Sequence, residues 1–229
     1  MSFTPSSIKV IVLDIDDTLI EGSEDAKDRA WFTVFDTFPA HELRTVIMEE
    51  QRRIAGGKGN RKDIARAVLK HFESLSGREA LNVEVEKRCD AFDSEVQSAI
   101  KKIGVRKEVC SALATLQSKF PLYVNTAIPS AVLERTLQTI GIRGFFTKIF
   151  GTPGTKVENL QHIAKEARVK SEEVLFVSDG AGDWKAAQKF GCSFIGVATP
   201  RNSWEEIPAS ERPEILVGHF EEILPLLLI

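Results

Sequence analysis

Residues 8–20 read Ile8-Lys9-Val10-Ile11-Val12-Leu13-Asp14-Ile15-Asp16-Asp17-Thr18-Leu19-Ile20. A run of β-branched and apolar side chains ends abruptly in carboxylates. Residues 8–13 predict a strand buried on both faces, the pattern of a central strand in a parallel sheet. Asp14 then falls at the strand's carboxyl end, where open α/β sheets bind their ligands. Asp14 and Asp16, two apart at such a place, repel each other and lose solvation. The pair is tolerable where something positive is held, most simply a divalent cation.

Outward from that stretch, the chain changes texture twice. Residues 15–24 form a polar turn, and from there to Lys102 the pattern is helical with no convincing strand. Ala30, Trp31, Val34, Phe35 and Phe38 fall at helical spacing before Pro39, and Leu43, Val46, Ile47 and Ile54 repeat the pattern. Residues 56–60, Gly-Gly-Lys-Gly-Asn, break it. Ile64, Val68, Leu69 and Phe72 predict a third helix, and residues 83–103 a fourth, closed near Gly104.

After Gly104, strands alternate with helices. A helix over about 107–119 leads through Pro121 to a strand at 122–126. Pro129 is placed to open the next helix at its first turn, which stops at Gly141. A short strand follows at 148–150. Thr155 with Glu158 is a capping-box pair for a helix whose inner face is Leu160, Ile163 and Ala167. Further strands are expected at 174–177, 194–198 and 215–217, with a helix at 183–190 and another at the end of the chain. This alternation means βαβ units and a parallel sheet. The helical stretch is too long for a crossover. The expected organisation is therefore a Rossmann-like α/β core of residues 1–22 and 104–229, with an inserted α-helical cap domain of residues 23–103.

Four pieces of sequence fall where strands of such a sheet end or its helices begin: Asp14-Ile15-Asp16-Asp17-Thr18, then Thr126, then Lys156, then Asp179 with Asp183. In that order they resemble the four motifs of the haloacid dehalogenase-like (HAD) hydrolases. With the helical insertion just after the first motif, the whole chain is similar to the phosphoglycolate phosphatase and β-phosphoglucomutase-like branch. The resemblance implies a Mg²⁺-dependent phosphatase acting on a small phosphorylated metabolite. Asp14 would be the nucleophile that forms an aspartyl-phosphate. Asp16 would serve as general acid and then general base. Thr126 and Lys156 would hold the phosphoryl oxygens. Mg²⁺ would be held by Asp14, the carbonyl of Asp16 and Asp179, with Asp183 acting directly or through water. Backbone N–H groups around Asp16, Asp17 and Ala127 would complete an anion cradle. An acid at position 16 matches the phosphatases of the superfamily rather than its dehalogenases. Two positions depart from the family pattern: Ser178 stands where glycine is common, and Ala127 where Asn, Gly or Ser is common. Asn125 offers a second register for the Thr126 motif.

The cap is expected to close as a lid, with Lys58, Asn60 and Arg61 placed like the substrate-contacting loop of related caps. A cationic loop there suits a second anionic group on the substrate. The same Lys58 and Arg61 read equally as solvated loop charges. Trp31 and Phe35 read as core, and Arg201, Asn202 and Trp204 as a plain surface loop. The four histidines, without partner spacing, are assigned no role. A phosphomutase using the same residues, or a HAD-like binding module without turnover, are the alternative functions.

Composition narrows the partners. The net charge of −3, from 30 basic and 33 acidic residues, gives no footprint for nucleic acid. The longest apolar run, residues 224–229, is far short of the ~20 residues that span a bilayer, so no membrane partner is expected. The first seven residues lack the basic and apolar regions of a signal peptide. The three cysteines, Cys89, Cys110 and Cys192, show no metal-ligand spacing and read as reduced. The expected setting is cytoplasmic, as a monomer or homodimer.

Overall fold

The protein is described by a computed structural model covering residues 4–54, 59–72 and 77–228. It divides into two compact units, Met1–Gly22 with Ile103–Ile229, and Ser23–Lys102. The chain enters the first unit through β1 (Val10–Leu13), whose four residues are all buried.

The second unit holds α1 (Ser23–Val34), α2 (Ala40–Ile54), α3 (Arg61–Phe72) and α4 (Arg78–Ile103). Its core forms because apolar residues recur at helical spacing on each element. Trp31 and Phe35 are buried there, as their spacing predicts, and Trp31 stacks on Phe92 with ring centroids 4.0 Å apart. The Arg88 guanidinium lies over the Phe35 ring and donates to the carbonyl of Val34, one of the carbonyls the end of α1 leaves unsatisfied.

Back in the first unit come α5 (Lys107–Gln117), β2 (Leu122–Pro129), α6 (Ser130–Thr139), β3 (Lys148–Thr152), α7 (Lys156–Ala167), β4 (Val174–Ser178), α8 (Ala181–Phe190), β5 (Ser193–Val197), β6 (Ile215–Val217) and α9 (Leu224–Leu227). The strands form one sheet in the order β3-β2-β1-β4-β5-β6, every neighbouring pair parallel. Val10, Val12, Tyr123, Val174 and Phe176 pack with Leu160 and Ile163 of α7 and Ala187 of α8. Burial on both faces is why β1 and β4 read as unbroken apolar runs.

Register sets the site. Leu13 pairs with Val124 of β2 and Val177 of β4. One residue on, Asp14 still donates its N–H to the Val177 carbonyl at 3.0 Å, so it lies level with Asn125 and Ser178. The chain passes from β3 through α7 to β4 on the far side of β1. The strand order therefore reverses between β1 and β4, the place where such sheets open a crevice at their carboxyl ends.

Three local readings differ from the sequence expectation. β2 runs on through an irregularity between Asn125 and Pro129, and Pro129 ends the strand and precedes α6 instead of sitting in its first turn. The expected terminal helix is a 3-10 turn, Phe220–Ile223, running into the single turn of α9. Pro225 has no N–H to donate backwards, which prevents one continuous helix. The loop after β5 is not a plain surface loop. Trp204 is 1% exposed and fills the space over Gly196, where an added Cβ would meet its ring at 2.4 Å. The glycine makes room for the indole, and single-sequence patterns do not show such a pairing.

Candidate active site

The first turn after β1 folds back on itself. Leu19 and Ile20 donate to the Ile15 carbonyl, and Asp17 donates to that of Ile20. Asp17 sits at φ +48°, in the left-handed region that Asp tolerates better than most residues. The fold-back holds Asp14, Asp16, Asp17 and Thr18 buried at the sheet edge. Thr18 reaches the end of β4: its hydroxyl accepts the Asp179 N–H at 3.0 Å and donates to Asp179 Oδ1 at 3.2 Å.

Lys156 comes from the other direction, as the first residue of α7. The helix start is fixed by the capping box expected from sequence. Thr155 Oγ1 accepts the Glu158 N–H and the Glu158 carboxylate accepts the Thr155 N–H. From there Lys156 Nζ donates to Asp14 Oδ1 at 3.0 Å, to Asp183 Oδ2 at 2.6 Å and to the Asn125 carbonyl at 2.9 Å. These account for all three ammonium protons. Asp183 is held a second time by the Ser178 hydroxyl, 2.6 Å away, which also accepts the Gly180 N–H. Residues 142 positions apart in the chain thus share one ammonium.

The charges are unevenly balanced. Burial pushes the Asp14 carboxyl up, Lys156 draws it back, and Asp183 and Asp16 push it up again, to about 6. Burial also works against the Lys156 ammonium, but the two carboxylates more than offset it and hold its pKa above the ordinary lysine value. Both effects follow from placing several acids and one base out of water.

The other residues named from sequence are placed as follows. Thr126 is buried on β2, one past Asn125, and its hydroxyl accepts the Ile128 N–H at 3.4 Å. Ala127 is exposed beside it. Arg61, in the helical unit, donates to Asp93 at 2.8 Å. Lys58 lies outside the described residues. Two residues without an expected role lie beside Asp179: Thr18, and Asn202 of the loop expected to be plain surface. The Asn202 amide donates to the carbonyls of Asp179 and Val197 at 3.0 and 2.8 Å. Asp179 is therefore held at its N–H by Thr18 and at its C=O by Asn202. The only sequence signal for this was a polar residue shortly after a late strand.

Among the described residues no three acidic, His or Cys side chains stand close enough together to hold a metal ion as they are. The donor chemistry nonetheless fits a hard divalent cation. Asp14, Asp16, Asp179 and Asp183 offer only oxygen, gathered at the ends of β1 and β4, and two of them already share one cationic group.

The sequence pattern of one family, the haloacid dehalogenase-like hydrolases, matches residues 8–191. The chain belongs to the HAD hydrolases. This hydrolase is 28% identical to the phosphoglycolate phosphatase of Vibrio vulnificus strain YJ016, over 99% of each chain. Its fold is similar to that of a HAD-hydrolase from Bacillus subtilis, YfnB, solved bound to magnesium, with a TM-score of 0.72 at 18% identity over 97% of this chain and 99% of that one. It is also similar to a candidate β-phosphoglucomutase from Thermotoga maritima, with a TM-score of 0.71 at 17% identity over 96% and 98%. The hydrolase thus falls in the branch its sequence resembles, and it is an enzyme of the phosphatase kind. No helix among the described residues is long and apolar enough to cross a membrane.

Proposed function

We propose that this hydrolase removes phosphate from a small phosphomonoester through an aspartyl-phosphate on Asp14. The observation that carries the reading is the Lys156 ammonium 3.0 Å from Asp14 Oδ1 at the carboxyl end of the central strand. It puts a fixed positive charge beside the carboxylate that must approach an anion.

Asp14 attacks phosphorus, a bond forms between its oxygen and phosphorus, and the ester P–O bond breaks. The departing alkoxide takes the proton of the Asp16 carboxyl. Asp16, now ionised, takes a proton from water as that water attacks the phosphoryl group, and Asp14 leaves as a free carboxylate with inorganic phosphate as the product. Lys156 and Thr126 hold phosphoryl oxygens meanwhile. Hydrolases of this superfamily generally use Mg²⁺. Here Asp14, the Asp16 carbonyl and Asp179 would hold it, with Asp183 behind them. It would supply the positive charge that lets two anions meet. The helical unit acts as a cap that supplies substrate contacts, with Lys58 and Arg61 as the residues to test. Because the relative named above is a phosphoglycolate phosphatase, a short phosphorylated carboxylic acid is the first substrate to try.

The test is phosphate release from a panel holding 2-phosphoglycolate, sugar phosphates and p-nitrophenyl phosphate, with Mg²⁺ and with EDTA. The expected result is turnover that EDTA abolishes and Mg²⁺ restores. Release indifferent to chelation contradicts the metal role. A sugar phosphate isomerised with its bisphosphate present, without free phosphate, replaces the phosphatase by a phosphomutase.

A further inference from the structure

Asn125 and Asn159 form a fully internal amide pair that the reaction above does not use. Asn125 is 0% and Asn159 4% exposed. Asn159 Nδ2 donates to Asn125 Oδ1 at 2.9 Å, and Asn125 Nδ2 donates onward to the Lys156 carbonyl at 2.9 Å. The Asn125 backbone carbonyl in turn accepts the Lys156 ammonium at 2.9 Å. Asn125 therefore grips Lys156 at both ends, its peptide and its charged tip. Behind Asn125, Asn159 stands one helical turn after Lys156 on the same helix. Its amide oxygen closes on Gly154, where an added Cβ would meet it at 2.4 Å.

An apolar strand ending between β1 and β3 has no packing reason to bury two amides. Burying them costs solvation that only complete hydrogen bonding offsets. The Lys156 carbonyl already lies within a helix that can satisfy it, so the bond from Asn125 is not needed to rescue that group. What the bond adds is a fixed distance between the end of β2 and the start of α7. We infer that the Asn125–Asn159 pair is a positioning device for Lys156: it sets where the ammonium stands relative to Asp14, and so how tightly phosphoryl oxygens are held. The role rests on the reading of Lys156 as a phosphoryl-binding group.

A merely structural pair and a positioning pair respond differently to replacement of both members. Removing one amide leaves the other buried without its partner, whereas exchanging both for apolar residues of similar size restores a satisfied interior. The experiment compares Asn125→Val with the paired Asn125→Val/Asn159→Leu. The readouts are thermal unfolding, kcat/KM for p-nitrophenyl phosphate, and the dissociation constant of orthovanadate as a phosphate mimic. The expected result is that the paired variant regains the Tm lost by the single one. Its kcat/KM should stay low, by about 10²-fold for a misplaced group, and orthovanadate should bind at least about tenfold more weakly. In a Lys156→Ala background the Asn125 change should then add less than about twofold, since the two act as one unit. Recovery of kcat/KM together with Tm overturns the inference. Should the paired variant fail to fold, Asn159→Ala is read in the same two backgrounds, and a loss undiminished by Lys156→Ala overturns it. Wild-type protein that neither releases phosphate nor binds orthovanadate removes the proposed reaction and this role with it. Wild-type protein that does both, beside a paired variant equal to it, removes this role alone.

Discussion

Asp14 has to be an anion to attack phosphorus, yet its surroundings favour the neutral acid. Burial, Asp183 and Asp16 together outweigh Lys156 and leave its carboxyl at about 6, against 3.8 for an ordinary aspartate. An acid held more tightly protonated in the folded state contributes stability at low pH and loses it as pH rises through the folded value. Metal-free wild-type protein should therefore lose Tm relative to Asp14→Asn between pH 4 and pH 6. A difference that stays flat across that window contradicts the placement. The same variant should lower kcat on the order of 10⁴-fold with the fold intact, because an amide is a poor nucleophile. At this scale the motif acids and Lys156 were legible, since turns do not need acids after several apolar strands. Ser178 was visible only as a departure from the family pattern and Asn125 only as an alternative register. Asp183 meets Ser178 through the short turn from β4 into α8, whereas Lys156 and Asn159 meet Asn125 through the placement of α7 against the end of β2, which no local pattern encodes.

Elements were legible where one physical signal dominated. The capping box at Thr155 marked the start of α7 to the residue, because the Thr and Glu side chains satisfy the helix's own first donors. The strands were found from their apolar runs, but their ends shifted where geometry intervened, as at Pro129. The loop after β5 was read as surface because Pro200, Asn202 and Ser203 are turn residues. That composition conceals Trp204, packed on Gly196 and edge-on to Phe194 with centroids 6.1 Å apart. Trp204→Ala should cost about 3–5 kcal/mol by leaving a cavity, read from urea unfolding. It should also impair turnover, because the indole anchors the loop whose Asn202 side chain accepts the Trp204 backbone N–H and donates to the Asp179 carbonyl. A cost under about 1 kcal/mol would mean the indole is not the anchor it is taken for here.

For the whole molecule, alternation of strands and helices implied a parallel sheet, and the long helical stretch implied a second unit. Strand order was beyond the sequence, since it depends on which side of β1 each crossover lands. Nor was the ionic cluster near the ends of the two connecting segments legible. Arg106, just after the chain returns from the helical unit, pairs with Glu221 at 2.8 and 2.9 Å and with Glu21 at 3.0 Å. Glu21, just before the chain leaves, also meets His219 at 3.0 Å. Burial works to raise the Glu221 carboxyl, but the bonds and charge from Arg106 outweigh it and hold it below the ordinary value of 4.5. A depressed acid stabilises above its unfolded pKa and stops doing so as pH falls through the folded one. Wild type should thus lose Tm faster than Arg106→Ala as pH is lowered below about 4.5, and parallel curves would show that the cluster is inert.

Passage of phosphorus through Asp14 is the step on which the proposed reaction depends. Its most direct test is acid quenching during turnover of p-nitrophenyl phosphate with Mg²⁺, followed by peptide mass mapping. The expected result is one added phosphoryl group on the peptide holding residues 8–20, localised to Asp14 and absent from Asp14→Asn. Steady phosphate release with that peptide unmodified, and with Asp14→Asn still active, would contradict it.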